Sequence, residues 1–274
     1  MEFRDYHVHL EQGPFSLEWI QKFLEEGKKC GVVEIGFTEH GHRFKEAIEL
    51  TASRGFRGEW VKTEATESIE DYIKIIEKAK AKGFPVKLGL ELDFIPEYEK
   101  DIRAFAKFYP FDYVLGGIHW LGDFGFDHPD LIHEWDKKDI DHVYDEYFDT
   151  VLQAVEAEIY ECIAHPDVIK VFGHRAEKDM GARYEEIAKT LKATKTCAEV
   201  STAGLRKPVK ELYPSASFMK YLVKYDIPIM INSDAHTPED VGRDFDIALD
   251  FVTSFGINRL YYFSDRKKFA NNIL

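Results

Sequence analysis

The sequence predicts a parallel α/β barrel that occupies one domain. Short apolar runs typical of strands alternate with amphipathic stretches typical of helices along most of the 274 residues. No low-complexity tract, short internal repeat or Gly-, Ser- or Pro-rich linker interrupts this alternation. A hydrophobic content of 45% is sufficient for a sizeable core. We therefore expect a single barrel domain over residues 1–274.

The predicted strands are short apolar runs, and most of them end in a side chain that can bind a metal ion. The segment from Asp5 to Leu10 opens the chain with two histidines, and the runs Val32 to His40 and Val86 to Glu91 repeat the pattern. The run from Ile159 to His165 is less regular as a strand but ends in the same way. In chain order, we predict strands near 4–9, 32–38, 86–92, 112–118, 159–164, 196–201, 227–232 and 258–263.

Helices are predicted between these strands from apolar residues at helical spacing. The segments from Ser16 to Lys29 and from Ser68 to Ala81 both have this spacing. The connection from His40 to Thr66 is longer than usual for this fold and contains several arginines and Trp60, so we expect a lid or substrate loop over the barrel mouth. Further helices are predicted at 97–108, 138–158, 181–193, 215–225 and 243–254.

Two pairs of candidate metal ligands lie far apart in the sequence. Because residues i and i+2 of a strand point to the same side, His7 and His9 can bind one metal ion, and Asp234 and His236 can do so from a distant strand. In α/β barrels, functional residues gather at the carboxyl ends of the strands. Eight candidate ligands have such positions in our assignment: His7, His9, His40, Glu91, His119, His165, Asp234 and His236.

This ligand set exceeds the needs of a single ion. Imidazole and carboxylate groups are the ligands expected for zinc, manganese or iron, so we predict two or three divalent ions, with Glu91 bridging between them. A single histidine at a strand end is more often a capped or partly buried polar residue. However, six of the eleven histidines end apolar strands, and this joint pattern favours a metal site. We interpret the other five histidines as solvated: His42, His128, His133, His142 and His174.

The composition disfavours several classes of function. With 50 acidic against 36 basic residues, the net charge of −14 argues against a nucleic-acid backbone as the main partner, since binding one needs clustered cations. There is no basic-then-apolar leader and no run of 18 apolar residues, so we expect a cytoplasmic protein without membrane insertion. The three cysteines lack CxxC spacing, and we interpret them as reduced packing residues.

The segments around the candidate ligands also carry a family resemblance. In order, they read His7-Val8-His9, Thr38-Glu39-His40, Gly89-Leu90-Glu91-Leu92-Asp93-Phe94, Gly117-Ile118-His119-Trp120, Ala164-His165-Pro166-Asp167 and Ser233-Asp234-Ala235-His236. They resemble the successive motifs of the polymerase and histidinol phosphatase (PHP) family. Residues 121–127 and 199–207 are similar to the histidinol-phosphatase branch of that family rather than to its polymerase-associated branch.

The resemblance implies a distorted (β/α)7 barrel with a trinuclear metal site, and hydrolysis of a phosphomonoester, L-histidinol phosphate in histidine biosynthesis. It implies three ligand sets: His7, His9, Glu91 and Asp234; Glu91, His119 and His165; and His40 with His236. Many family members supply a further histidine to the third ion, but this chain has Glu11 to Ser16 at that place. The third ion is therefore expected to be held more weakly, to use Glu11 or Gln12, or to be absent.

Phosphate-ester hydrolysis needs further groups beside the metal ligands. Arginine offers a forked donor suited to phosphate, and we predict Arg206 as the first candidate for binding the phosphoryl group and Arg175 as the second. Asp234 or His236 can protonate the leaving oxygen, although metal ligation competes with that role. With the bridging Glu91, these two residues form the predicted catalytic set.

A substrate with a cationic amine or imidazole favours an acidic pocket, for which Asp93, Asp123 and Asp127 are candidates, each also a candidate loop cap. Two alternative functions stay open. The first is a phosphatase of the same family acting on another small phosphomonoester, such as a nucleotide or phosphotyrosine. The second is a non-catalytic PHP module in which the metal ions only stabilise the fold. The expected partner is a small-molecule phosphate ester, without nucleic acid or membrane.

Overall fold

The structure is a computed structural model that describes residues 2–51 and 53–273. Eleven strands form within these ranges: β1 Phe3–Val8, β2 Val32–Phe37, β3 Val86–Asp93, β4 Tyr113–Gly117, β5 Trp120–Leu121, β6 Phe124–Gly125, β7 Cys162–Ile163, β8 Cys197–Ser201, β9 Ile229–Asn232, β10 Arg259–Ser264 and β11 Lys267–Asn272. Seven of them form one parallel sheet in the order β1-β2-β3-β4-β7-β8-β9.

This sheet curls into a nearly closed barrel. Val8 of β1 forms a parallel bridge with Ala235, just beyond β9. The backbone N–H of His9 donates to the carbonyl of Ala235 over 2.8 Å, and the N–H of Ala235 donates to the carbonyl of His7 over 3.1 Å. The first and last barrel strands therefore meet at a seam, and the seven-stranded barrel implied by the family resemblance is confirmed.

Helices follow most barrel strands and cover the outside of the barrel. They are α1 Leu17–Lys29, α2 Ile48–Thr51, α3 Phe56–Glu64, α4 Ile69–Ala81, α5 Glu99–Phe108, α6 Ile140–Glu156, α7 Gly181–Thr194, α8 Ala203–Arg206, α9 Ala216–Lys224 and α10 Phe245–Ser254. Short 3₁₀ helices lie at Gly41–Arg43, Lys45–Ala47, Pro96–Tyr98, Pro129–Lys137, Val168–Lys170 and Pro238–Asp240. The start of α1 shows how the local sequence sets these bounds, because the Ser16 side chain accepts a hydrogen bond from the N–H of Trp19.

The last predicted strand, near residues 258–263, forms outside the barrel sheet. Residues 259–264 form β10, which pairs antiparallel with β11 and not with the barrel. The ring of Phe263 stacks on Tyr113 at a centroid distance of 6.3 Å, and the N–H of Arg266 donates to the carbonyl of Asp112 just before β4. The hairpin thus covers the amino-terminal end of the barrel, opposite to the predicted metal ligands. Its polar second strand carried no strand signal.

The long connection after β2 folds as short helices over the barrel mouth. Within it, α3 is held to the β5–β6 hairpin because Arg57 donates to the carbonyl of Gly122 over 2.7 Å. Of the three cysteines, Cys162 and Cys197 are buried as expected, but Cys30 is exposed, because it caps the end of α1 at the surface. In the described part of the chain, no helix is long and apolar enough to cross a membrane.

Candidate metal centre

The structure brings all eight predicted ligands together at the carboxyl end of the barrel. Each lies in the second half of a barrel strand or in the residues that directly follow one. Because parallel strands end at a common rim, side chains far apart in the sequence become neighbours there. Glu91 is central to the group. Its carboxylate oxygens lie 2.8 Å from Nδ1 of His40, 3.0 Å from Nε2 of His165, 3.3 Å from Nε2 of His7 and 3.7 Å from Nε2 of His119.

Asp234 is the second carboxylate of the group. Its Oδ1 lies 3.3 Å from Nε2 of His9, 3.5 Å from Nε2 of His7 and 3.6 Å from Nε2 of His236. Asp234 has a φ of 52°, and His165 has a φ of 49°. Non-glycine residues seldom adopt this left-handed conformation, and it is often found at functional sites, where the surrounding structure enforces it.

The donor set fits divalent metal ions. Four groups of three residues have ligand atoms within 4.8 Å of one another: His7, His9 and Glu91; His7, His165 and Asp234; Glu91, His119 and His165; and His9, His40 and His236. Several of these atoms are buried without a hydrogen bond of normal geometry to any described residue. They include Nε2 of His7, both ring nitrogens of His9 and both carboxylate oxygens of Glu91. Since buried polar atoms are normally paired, these atoms point to a bound cation.

Glu91 and His9 have charge states that suit metal binding, whereas nearby carboxylates, against the effect of burial, raise the pKa of His7, His40 and His119. Burial alone would raise the pKa of Glu91, but the surrounding imidazoles, that of His7 foremost, hold it well below its usual value. Burial lowers the pKa of His9 well below its usual value, and the neighbouring rings of His40 and His236 add to this effect. An ionised carboxylate and a neutral imidazole are the forms in which these side chains bind metals.

Two further carboxylates orient histidines of the group by contacting the ring nitrogen that does not face Glu91. The Nδ1 of His7 lies 2.9 Å from Oε1 of Glu199 on β8, and both side chains are fully buried. The same oxygen accepts a hydrogen bond of 2.7 Å from Asn232. The Nδ1 of His119 lies 2.6 Å from Oδ1 of Asp93. The sequence analysis did not predict this contact of Glu199 with His7. The position of Glu199, two residues before the end of β8, does indicate a side chain that faces the barrel interior.

Glu11 lies beside His40 and His236, the two histidines predicted to bind the third ion. Its Oε1 lies 3.1 Å from Nδ1 of His236, and its Oε2 lies 4.0 Å from Nε2 of His40. The group His9, His40 and His236 thus has a carboxylate beside it. Of the two residues predicted as substitutes for the family histidine, Glu11 is the one within ion-pair distance of these rings.

The two predicted phosphate-binding arginines differ in their surroundings. The guanidinium of Arg206 donates to the carbonyls of Ser233 and Asp234 over 2.6 and 3.3 Å, so it holds the loop that carries Asp234. Arg175 instead pairs with Glu211 over 2.7 Å and lines a separate groove that contains none of the eight candidate ligands. Direct contact of either arginine with substrate stays a prediction.

A cavity of about 270 Å³ opens over the eight candidate ligands, which we call the metal-ligand group. Lys207 lines it together with Asp234 and His236, although the sequence reasoning overlooked this lysine beside Arg206. His42 and His128 also line the cavity, and His42 is half-buried where full solvation was predicted. Its ring stacks on His40 at a centroid distance of 4.8 Å, and burial lowers its pKa well below its usual value.

Comparison with known proteins connects this geometry to a family. A model of the PHP domain matches residues 5–203 of the chain. The chain belongs to the PHP domain family. This match includes six of the eight candidate ligands and confirms the resemblance seen in the sequence motifs, while Asp234 and His236 lie beyond it.

Individual PHP-family relatives match almost the whole chain. A probable histidinol-phosphatase from Deinococcus radiodurans is 29% identical over 265 residues, which cover 96% of this chain and 97% of that protein. The histidinol-phosphatase of Bacillus subtilis is 25% identical over 278 residues, which cover 91% of this chain and 99% of that protein.

A solved structure also matches this PHP protein over nearly its full length. It is the crystal structure of histidinol phosphate phosphatase from Lactococcus lactis, complexed with zinc, L-histidinol and phosphate. The TM-score is 0.77 at 21% sequence identity, and the match covers 98% of this chain and 99% of that chain. At this level of identity, the likeness confirms the barrel fold.

Proposed function

We propose that this PHP protein is a metal-dependent phosphoric monoester hydrolase that converts L-histidinol phosphate to L-histidinol and phosphate in histidine biosynthesis. The observation that carries the reaction class is the group of convergent histidines and carboxylates beneath an open cavity. The near-full-length similarity to the histidinol-phosphatases of D. radiodurans and B. subtilis supports this substrate.

We propose the eight convergent side chains as ligands of two or three divalent ions, which can be zinc, manganese or iron. When bound, such ions neutralise phosphoryl charge and activate water as a nucleophile. Glu91 is suited to bridging, because its two oxygens face different histidines: Oε2 faces His7 and His40, and Oε1 faces His119 and His165. Glu11 is our candidate for the additional ligand beside His40 and His236.

The remaining steps are assigned to residues at the cavity wall. The leaving oxygen needs a proton, and Asp234 and His236 both line the cavity. The His236 side chain is 31% exposed against 13% for Asp234, so substrate reaches His236 more readily. Lys207 adds a positive charge for the phosphoryl group. Arg206 supports the loop of Asp234, and its guanidinium also donates to Thr202 over 3.3 Å and lies 3.6 Å from Asp240; we propose that its remaining N–H faces the phosphate.

Three broader features belong to the same proposal. Residues 1–274 form one PHP-type barrel domain, supported by the seven-stranded sheet that uses strands from both ends of the chain. The protein works in the cytoplasm, in keeping with its unpaired cysteines. Its partner is a small phosphate ester and not a nucleic acid, in keeping with the net charge of −14.

A phosphate-release assay after metal analysis tests the function. The wild-type protein should hydrolyse L-histidinol phosphate with a higher kcat/KM than nucleoside monophosphates or phosphotyrosine. Glu91→Ala should lose at least one metal equivalent and nearly all activity while the barrel stays folded by circular dichroism. The matched control is Glu97→Ala, which removes an exposed carboxylate from the segment after β3. Faster turnover of another ester would refute the substrate, and a fully metallated protein without any phosphatase activity would indicate a structural module.

A further inference from the structure

One wall of the cavity is built from two segments outside the barrel strands. Helix α3 contributes Trp60, and the β5–β6 hairpin with the residues after it contributes Trp120 and His128. The ring of Trp60 lies 5.4 Å from that of Trp120 and 5.3 Å from that of His128, measured between centroids. These rings form an aromatic wall beside the metal-ligand group, and flat or cationic groups bind well against such surfaces.

A carboxylate without a salt-bridge partner among the described residues lies in the same cavity. Of the three acidic residues predicted for a pocket, Asp93 is engaged by His119 over 2.6 Å, and Asp123 accepts a hydrogen bond from Ser53 and is exposed. Asp127 lines the cavity but forms no salt bridge with any residue of the described ranges 2–51 and 53–273. Burial raises the pKa of the Asp127 carboxyl. The nearby His119 lowers this pKa in part, and the nearby Asp93 raises it again. A cation from solution would stabilise the ionised form of this carboxylate.

The cavity therefore offers complementary surfaces to a molecule with two charged ends. The metal-ligand group and Lys207 suit a phosphoryl group, while Asp127 and the aromatic wall suit a cation attached to a flat ring. We infer that Asp127 binds the cationic amine or imidazole of the substrate's alcohol portion, and that Trp60, Trp120 and His128 contact its ring. This inference rests on the proposed function. It names the residues that select a phosphomonoester with a cationic alcohol portion over one whose alcohol portion carries no positive charge.

The electrostatic reason for this selectivity is the surroundings of Asp127. A phosphomonoester whose alcohol portion carries no positive charge leaves the carboxylate without a partner in a partly desolvated place, whereas an ammonium or imidazolium group compensates its charge. The effect acts on substrate binding and not on the metal ions, because Asp127 belongs to none of the groups of potential metal ligands. Loss of its charge should therefore appear mainly in KM.

The test compares Asp127→Asn with wild type on L-histidinol phosphate and on p-nitrophenyl phosphate, whose p-nitrophenyl group carries no positive charge. We expect kcat/KM for L-histidinol phosphate to fall about 10- to 100-fold, mostly through KM, as is usual when a charge-assisted hydrogen bond is lost. The value for p-nitrophenyl phosphate should change less than about threefold. Inhibition by L-histidinol should weaken in parallel, and metal content should stay the same. Glu64→Gln, which removes an exposed charge from the rim of the same cavity, is the matched control and should leave the selectivity unchanged.

The outcomes separate the two proposals. If wild type hydrolyses L-histidinol phosphate and Asp127→Asn keeps the same preference between the two esters, the role of Asp127 is refuted and the proposed function stands. If wild type does not hydrolyse L-histidinol phosphate, the proposed function fails together with this inference. Should Asp127→Asn fold poorly, Trp60→Ala at the half-buried middle of α3 tests the aromatic wall, with the same loss of preference expected.

Discussion

Replacing Glu199 with alanine should weaken binding of the metal ion for which we propose His7 as a ligand. In the structure, Oε1 of Glu199 lies 2.9 Å from Nδ1 of His7 and fixes the ring so that Nε2 points toward Glu91 and Asp234. The same oxygen accepts from Asn232, whose own oxygen accepts from the N–H of Tyr6 on β1. Because these groups are fully buried, no water can readily replace the lost acceptor.

The expected size of this effect follows from the type of contact. Loss of a carboxylate that orients a metal-binding histidine typically lowers metal affinity about 10- to 100-fold, or roughly 1.4 to 2.7 kcal/mol. The assay is the metal content of Glu199→Ala after dialysis against increasing chelator, measured by elemental analysis beside wild type. Glu199→Gln is the matched control, since its amide oxygen can still accept from His7 and Asn232. It should retain metal to within about threefold of wild type.

Two results would refute this reasoning. Wild-type metal retention in Glu199→Ala would mean that the ring of His7 is held by its other neighbours, and Glu199 would then be a packing residue only. Equal metal loss in Glu199→Gln and Glu199→Ala would mean that the negative charge, and not the hydrogen-bond acceptor, is what matters. A folded barrel in both variants, shown by circular dichroism, is the condition for either conclusion.

Two further predictions concern the third ion and the phosphate. Mild chelation should remove one metal equivalent from wild type before the others. Glu11→Ala should lose that equivalent at an about tenfold lower chelator concentration, because Glu11 lies beside His236 and His40. Simultaneous loss of all ions from wild type would contradict this prediction. Arg206→Met should lower both metal content and kcat/KM, because Arg206 supports the loop of Asp234. Lys207→Met should weaken inhibition by inorganic phosphate and leave the metal content unchanged, because Lys207 lines the cavity. Full metallation of Arg206→Met with a large loss of kcat/KM would mean that its guanidinium acts on the phosphate and is not needed to hold the loop of Asp234.

The metal-ligand group was predictable from the sequence because it depends on two local rules. A period of two puts His7 and His9 on one side of a strand, and parallel strands place their carboxyl ends at one rim. Neither rule needs knowledge of distances between strands. For the same reason the sequence identified Glu91 as a candidate bridge, and the structure places its oxygens among four histidines.

The substrate side of the cavity was less predictable, because it depends on packing between distant segments. The contact of Arg57 with Gly122 joins α3 to the β5–β6 hairpin, and no local pattern indicates which residues then face the cavity. His42 was interpreted as solvated from its loop position, but the stacking with His40 and the nearby Trp60 bury it partly. Similarly, three aspartates were equivalent in the sequence until the structure supplied partners for Asp93 and Asp123.

The seam of the barrel explains why the metal-ligand group and the fold are physically linked. Here the first barrel strand meets the segment after the last one, and the carboxylate of Asp5 accepts hydrogen bonds from the N–H and hydroxyl of Ser233 and from the N–H of Gly242. The backbone bonds between Ala235 and the strand of His7 lie directly above. Candidate ligands on both sides of this seam face a common centre, so a bound ion would connect the first and last barrel strands. We therefore expect metal binding and barrel closure to stabilise one another.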